Sequence, residues 1–271
     1  FEGIYTKWSE SAYPTLSDSS VKTYKSAYKH TTKLHSQCFR DLKTIHLQSV
    51  VDGVKSPSMA RMTKILFQQL YTYALENDIV EKDYSQFVKL TAKKEKKEKS
   101  TLTDADVQTM WNKVGEVPYA DLIVILLYTG MRIGELLDMT KENVNLEARY
   151  MVGGNKTEAG KNRVIPIHKR IVPLIQKRID ESESEYLFTN TLGKKLTYAL
   201  FMSKYWGMIL PHLEGQHSPH DTRHTFVSKM DSLGVNRIII QKIVGHSNKD
   251  ITDIYTHKNL DELLEAVDLL N

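Results

Sequence analysis

Eight consecutive residues, Lys93-Lys94-Glu95-Lys96-Lys97-Glu98-Lys99-Ser100, carry no apolar side chain. Such a run has no face to bury, so no single core passes through it. Well-patterned apolar sequence lies on both sides. The chain is therefore expected to fold as two bodies, residues 1–92 and 102–271, joined by a basic linker at 93–101. Its 271 residues give each body enough material for a core of its own.

The first body is expected to be all helical. Ser19-Ser20 offers a cap for a helix from Val21 towards Leu34, with Val21, Tyr24, Tyr28 and Thr31 on one side. Leu42, Ile45, Leu47 and Val50 mark a second helix. Ser56-Pro57-Ser58 opens a long third one from about Met59 to Asn77, whose apolar face is Met62, Ile65, Leu66, Leu70, Tyr73 and Ala74. In the second body Thr103 is the expected N-cap of a helix. Asp121–Tyr128 reads as a buried helix broken at Gly130. Residues 143–167 then change character, with β-branched and alternating residues around Val144-Asn145-Leu146, Tyr150-Met151-Val152 and Arg163-Val164-Ile165-Pro166-Ile167. Gly153 to Gly160 reads as a hairpin turn between them. Helices resume from Ile171. The expected fold class is mainly α, with a small antiparallel β-sheet or hairpin in the second body.

Composition removes several function classes. Hydrophobic residues make up 41% and charged residues 26%, which suits a packed core rather than a disordered chain. The longest apolar run, Leu122 to Tyr128, is far short of the about 20 residues that span a bilayer. No charged-then-apolar leader marks the chain for export. The single cysteine, Cys38, excludes an internal disulfide framework and a multi-cysteine zinc site, and points to a reducing cytosol. An opening Phe1 rather than Met is expected of a piece of a longer protein.

Charge is unevenly spread. Residues 1–100 hold 17 Lys/Arg against 11 Asp/Glu, whereas residues 101–271 hold 20 against 22. A basic first third fits a polyanion such as DNA, and an ordinary solvated surface is the plainer reading of the same charge. Lys43, Lys55, Arg61 and Lys64, with Lys93, Lys94, Lys96 and Lys97 of the linker, are the candidate phosphate contacts.

The sequence lacks a GxxxxGK[ST] phosphate loop, a GxGxxG turn and a GxSxG elbow. His220 and His224, four apart, share a helix face in the manner of a zinc pair. Asp221 stands where that motif has Glu, Arg223 puts a permanent cation beside the ion, and further ligands are needed, so no metal site is assigned. A different set of side chains converges on phosphate chemistry. Arg132 lies in Thr129-Gly130-Met131-Arg132-Ile133-Gly134-Glu135-Leu136, and His220 and Arg223 lie in HDTRHTF. His246 follows Gly245, and Tyr255 comes nine residues later. Two arginines can clamp a phosphate and stabilise charge growing on its oxygens. A tyrosine becomes a nucleophile when a base takes its proton, and a lysine can protonate a departing hydroxyl.

TGMRIGEL, HDTRHTF and VGHSNKDITDIYTH, in this order and spacing, resemble the three signature segments of the tyrosine recombinases, also called phage integrases. The likeness covers nearly the whole chain, and is in particular to integrases of conjugative transposons and temperate phages of Gram-positive bacteria. It implies a two-domain DNA clamp: a core-DNA-binding domain at 1–92 and a catalytic domain at 102–271 with a tail helix at 259–271. By matching position, Arg132 resembles the first catalytic arginine and Glu135 the acid that supports it. Lys156, preferred to Lys161 of the same hairpin, resembles the general acid on the leaving 5′-oxygen. His220 and Arg223 resemble the HxxR pair, His246 the second histidine that bonds the phosphate, and Tyr255 the nucleophile that forms a 3′-phosphotyrosine. Val244 stands where the family usually has leucine. His224 and His257 read as structural.

The resemblance further implies site-specific strand exchange of a mobile element through a Holliday junction, with neither metal nor ATP. Its partners would be double-stranded attachment or transposon-end sites, a homo-tetramer built by exchange of the acidic amphipathic tail (Leu260, Leu263, Leu264, Val267, Leu270), and an excisionase or host DNA-bending protein. No membrane is involved, and the location is the bacterial cytoplasm, at the nucleoid. An arm-binding domain before Phe1 is expected. The alternatives are a chromosome-dimer resolving recombinase of the same family, a type IB topoisomerase-like enzyme, and a non-catalytic DNA-binding regulator.

Overall fold

The computed structural model describes residues 1–90, 101–154, 162–245 and 257–271. The chain divides into two compact units, Phe1–Lys96 and Lys97–Asn271. The linker lysines Lys93, Lys94, Lys96 and Lys97 lie outside the described residues.

The first unit contains α1 (Glu2–Ala12), α2 (Asp18–Lys29), α3 (Thr44–Asp52) and α4 (Pro57–Glu76). α2 begins earlier than Ser19-Ser20 suggests. Ser17 is its N-cap, with Oγ accepting the Ser20 backbone N–H at 3.3 Å, which places Ser19 and Ser20 inside the first turn. Ser56 caps α4, and Pro57 fills the first helical position, where a missing N–H costs nothing. The buried arc of α4 is Ala60, Thr63, Leu66, Phe67, Leu70, Tyr71 and Ala74. That arc is rotated from the expected face: Met62, Ile65 and Tyr73 are only half-buried. α4 is flanked by α1, α2 and α3, so its buried stripe is centred between them rather than on its most hydrophobic side. For the same reason Ile45 of α3 points outward at 72% exposure, while Val51 is buried. Tyr5 and Tyr28 stack with ring centroids 3.5 Å apart and close α1 onto α2.

The second unit is built around α6 (Ala120–Thr129), every residue of which is buried. α5 (Asp104–Asn112) packs on it behind a capping box. Thr103 Oγ1 accepts from the Asp106 N–H, and Asp106 Oδ2 accepts from the Thr103 N–H. The short helix α7 (Ile133–Leu137) leads to a three-stranded antiparallel sheet: β1 (Val144–Asn145), β2 (Tyr150–Gly153) and β3 (Arg163–Pro166). Met151 pairs with Ile165 and Gly153 with Arg163. α8 (Val172–Glu181) is tied back to α6 by Arg178, whose Nε and Nη2 donate to Asp121 at 2.5 and 2.6 Å. α9 (Tyr198–Leu200) passes through a π turn into α10 (Trp206–Ile209). α11 (Asp221–Ser232), α12 (Arg237–Val244) and α13 (His257–Val267) complete the unit. The mainly helical fold with one small antiparallel sheet agrees with the sequence pattern.

The tail is docked on its own unit. Leu263, Ala266, Val267 and Leu270 are buried in the same core as α6 and β3. Arg149 holds Asp268 with both carboxylate oxygens 3.0 Å away. His168 Nε2 lies 3.0 Å from the Leu270 carbonyl, and Tyr128 Oη donates to the Asn271 carbonyl at 2.5 Å. The resemblance implies packing on a neighbouring subunit; in this single chain the tail rests on its own unit. Four apolar side chains and three polar clasps are all satisfied locally.

Candidate active site

The site is assembled where three backbone ends meet. α6 ends at Gly130, which takes the left-handed conformation at φ +61°. The chain then turns into α7, and Arg132 is the residue just before that helix. Glu135 reaches back: its Oε2 accepts the Arg132 backbone N–H at 3.1 Å, and its Oε1 accepts from Arg132 Nη1 at 2.7 Å. This is no solvated surface pair, because the Glu135 side chain is 5% exposed. Arg132 itself keeps 27% of its side chain open to solvent.

Glu135 has a second partner that motif reading misses. Arg163, the first residue of β3, donates from Nη2 to Glu135 Oε2 at 2.7 Å and from Nε to the Ile243 carbonyl at 2.9 Å. Its side chain is 1% exposed. Period-2 alternation offers the one signal for it, since Arg163 shares the buried face of β3 with Ile165. Burial alone would raise the Glu135 pKa. The hydrogen bonds and charges of Arg163, and then of Arg132, hold it below the usual carboxylate range instead.

Arg223 enters from α11. Its Nη1 donates to the Gly130 carbonyl at 2.8 Å and its Nη2 to the Val244 carbonyl at 2.5 Å. Consecutive carbonyls at the end of α12 are thus each held by an arginine, Ile243 by Arg163 and Val244 by Arg223. Such carbonyls have no partner within the helix and sit at the negative end of its dipole. Arg223 is 2% exposed. Burial, then the neighbouring Arg132 and Arg163 charges, push its pKa down to about 9, which still leaves it a cation at neutral pH. Gly245 follows at φ +66°, and a Cβ there would lie 2.9 Å from Arg163 Cδ.

His220 stands exposed at the start of α11, with the His224 ring edge-on at 4.8 Å. Desolvation, then His224, Arg223 and Arg132, lower its pKa, so its imidazole is neutral at pH 7 and able to accept a proton. Arg132, Glu135, His220 and Arg223 are therefore brought together. Lys156, Lys161, His246 and Tyr255 lie outside the described residues, as does the side chain of His257. Among the described residues, Lys43 is engaged by Tyr84, its Nζ 3.1 Å from the hydroxyl and 4.6 Å from the ring centre. Lys55 and Arg61 are exposed and Lys64 is half-buried on the first unit.

Two guanidiniums hold the Glu135 carboxylate and a third, that of Arg223, is held by the Gly130 and Val244 carbonyls, so the cluster retains excess positive charge. Its chemistry suits an anion with several oxygens. Among the described residues no helix is long and apolar enough to cross a membrane.

Residues 95–262 match the model of the phage integrase family. Tyrosine recombinase XerA of Pyrococcus horikoshii is 34% identical over 159 residues, covering 54% of this chain and 53% of that protein. The chain thus spans about half the length of this curated relative. The Tn1549 transposon integrase, solved with circular intermediate DNA, superposes with a TM-score of 0.78 at 21% identity, over 96% of this chain and 97% of that one. A lambda integrase tetramer solved on a Holliday junction gives 0.75 at 12% identity, over 94% and 79%. These two likenesses concern the fold. The family match spans well over half of the chain and includes the segments that carry Arg132, Arg163, His220 and Arg223, and the chain belongs to the phage integrase family.

Proposed function

We propose that the chain is a tyrosine site-specific recombinase that exchanges DNA strands of a mobile element by transesterification. The observation that carries this reading is the buried Arg132–Glu135–Arg163 network with Arg223 beside it, set at the end of α12, directly ahead of His246. Tyr255 Oη attacks the scissile phosphorus as its proton passes to a neutral base, the role His220 suits. The phosphorus–O5′ bond breaks, and Lys156 gives its proton to the departing 5′-oxygen. The product is a 3′-phosphotyrosine and a free 5′-hydroxyl. Attack by the 5′-hydroxyl of a partner strand reverses these steps and releases Tyr255. Arg132, Arg223 and His246 stabilise the charge that grows on the non-bridging oxygens. Loss of one such donor costs on the order of 100- to 1,000-fold in rate.

The bond energy is kept in the phosphotyrosine, so the reaction uses neither ATP nor a metal. Residues 1–92 and 102–271 act as the two arms of a clamp on duplex DNA, with 93–101 along the backbone. Exposed Lys55 and Arg61 on the helical unit support this reading. The protein works in the bacterial cytoplasm on attachment or transposon-end sites, as a tetramer that passes through a four-way junction. Tail exchange in that tetramer starts from the self-docked α13, so release from Arg149, His168 and Tyr128 precedes assembly. The test is covalent capture on a nicked suicide duplex in EDTA. Wild type forms a protein–DNA adduct, Tyr255→Phe forms none, and Arg223→Ala binds DNA without cleaving it. Equal loss of binding and cleavage in Arg223→Ala would remove that residue from the chemistry.

A further inference from the structure

We infer that Arg163 is a positioning residue for the proposed transesterification, fixing in one frame the Glu135 carboxylate that holds Arg132 and the end of α12 from which the Gly245–His246 segment departs. The inference rests on the recombinase reading above.

One planar guanidinium spans two parts of the site that are distant in sequence. Nη2 holds Glu135, 28 residues away, at 2.7 Å, and Nε holds the Ile243 carbonyl, 80 residues away, at 2.9 Å. A guanidinium is rigid and its N–H directions are fixed, so the two bonds set the distance and angle between α7 and the end of α12. The group is also coupled to both candidate phosphate-binding arginines. It reaches Arg132 through the shared Glu135 carboxylate. It meets Arg223 at adjacent carbonyls, Ile243 and Val244. Arg163 also opens β3, seven residues after Lys156 in the sequence.

Arg163 is ill suited to serve stability alone. Its side chain is 1% exposed, and its Nη1 is buried without a hydrogen-bond partner among the described residues. A buried ion pair is weak evidence of a stabilising role, because replacing both partners by apolar side chains of similar volume is often neutral. Gly245 adds a second constraint. Its φ of +66° and the 2.9 Å approach of a built Cβ to Arg163 Cδ mean that the turn beside His246 is shaped around the Arg163 stem.

The test uses the full chain and two variants, R163K and R163M. Lysine keeps the charge, but one ammonium cannot reproduce the two-pronged, planar grip. Both variants should bind nicked core-site DNA within about twofold of wild type, yet form the covalent adduct roughly 100-fold more slowly at saturating DNA, the scale expected for a displacement of about 1 Å. In R163M the buried Glu135 keeps one cation instead of two and takes up a proton more readily. The ratio of variant to wild-type rate should therefore fall as the pH is lowered from 8 to 6. Placed in an E135Q background, R163M should show no such pH-dependent ratio. The NMR signal of the Arg132 side-chain Nε–H should shift in R163K without DNA present.

Wild-type rates in R163K, or a rate loss matched by an equal loss of DNA affinity, would overturn the inference. So would a pH-dependent ratio that persists with E135Q. An absence of adduct from wild type would instead defeat the recombinase reading. The Arg132 signal would still decide whether Arg163 positions that side chain: a shift supports it and an unmoved signal refutes it.

Discussion

Replacing Gly130 by alanine tests how the core and the site are joined. Gly130 has φ +61°, and a Cβ built on it lies 2.5, 2.9 and 3.0 Å from three atoms of the Phe226 ring. Two costs follow. A left-handed residue with a Cβ loses about 1–2 kcal/mol. Phe226 is fully buried, so its ring has no empty space to enter, and overpacking of this kind costs about 1–3 kcal/mol. The sum is about 2–5 kcal/mol, a large part of an ordinary domain's stability. Hydrogen exchange of the α6 amides is the assay, because α6 lies at the centre of the second unit and reports its opening separately from the helical unit. Protection should fall roughly 30- to 5,000-fold. The double variant G130A/F226L should be more stable than the sum of the single changes by about 1–3 kcal/mol, since the smaller side chain relieves the contact but not the backbone strain. α6 protection within threefold of wild type, or additive single changes, would show that the Gly130–Phe226 contact does not set this junction.

Three further outcomes are expected. His220 should titrate below its ordinary 6.5 by NMR, because desolvation and then His224, Arg223 and Arg132 disfavour its charged form, and Arg132→Gln should move the midpoint upward. The unfolded chain then binds this proton more readily than the folded one, so the contribution to stability rises with pH through the window between the folded and unfolded values. Tyr128→Phe removes the acceptor of Trp111 Nε1 and Arg170 Nη1 and the donor to Asn271. It should weaken tail docking by about 1–3 kcal/mol, read as faster amide exchange at 263–270. DNA affinity should fall steeply between 50 and 200 mM salt, by ~1,000-fold or more if about six phosphates are contacted, whereas a flat titration would dismiss the clamp.

Much of the architecture was legible because it rests on local rules. Thr103 and Ser56 announce their helices through capping chemistry that acts within three residues. The apolar run at 122–128 leaves no solvent-facing side, and α6 is buried on every side as a result. Gly130 reads as a helix end for the same local reason. The rotated face of α4 was not legible, because periodicity reports hydrophobicity, whereas burial also depends on which neighbours surround the helix. Ile45 at 72% exposure is the same effect at one residue.

The site divides in the same way. Arg132, Glu135, His220 and Arg223 lie in short motifs whose order carries the signal. The tie between Arg132 and Glu135 is local, three residues along one helix start. Arg163 stands outside the quoted signature segments, and its partners Glu135 and Ile243 are tertiary neighbours, so spacing alone could not reveal them. Self-docking of α13 was likewise not legible in the sequence. An amphipathic stripe shows that a helix needs a partner, and only the bonds from Tyr128, Arg149 and His168 show the surface on which it rests here.

The most direct test of the central claim is covalent capture. The protein is incubated in EDTA with a nicked suicide duplex from the ends of its element and resolved on a denaturing gel. Wild type should form a protein–DNA adduct and Tyr255→Phe none, with DNA binding equal in the two. An adduct that survives Tyr255→Phe, or wild-type protein that binds its site and forms no adduct, would contradict it.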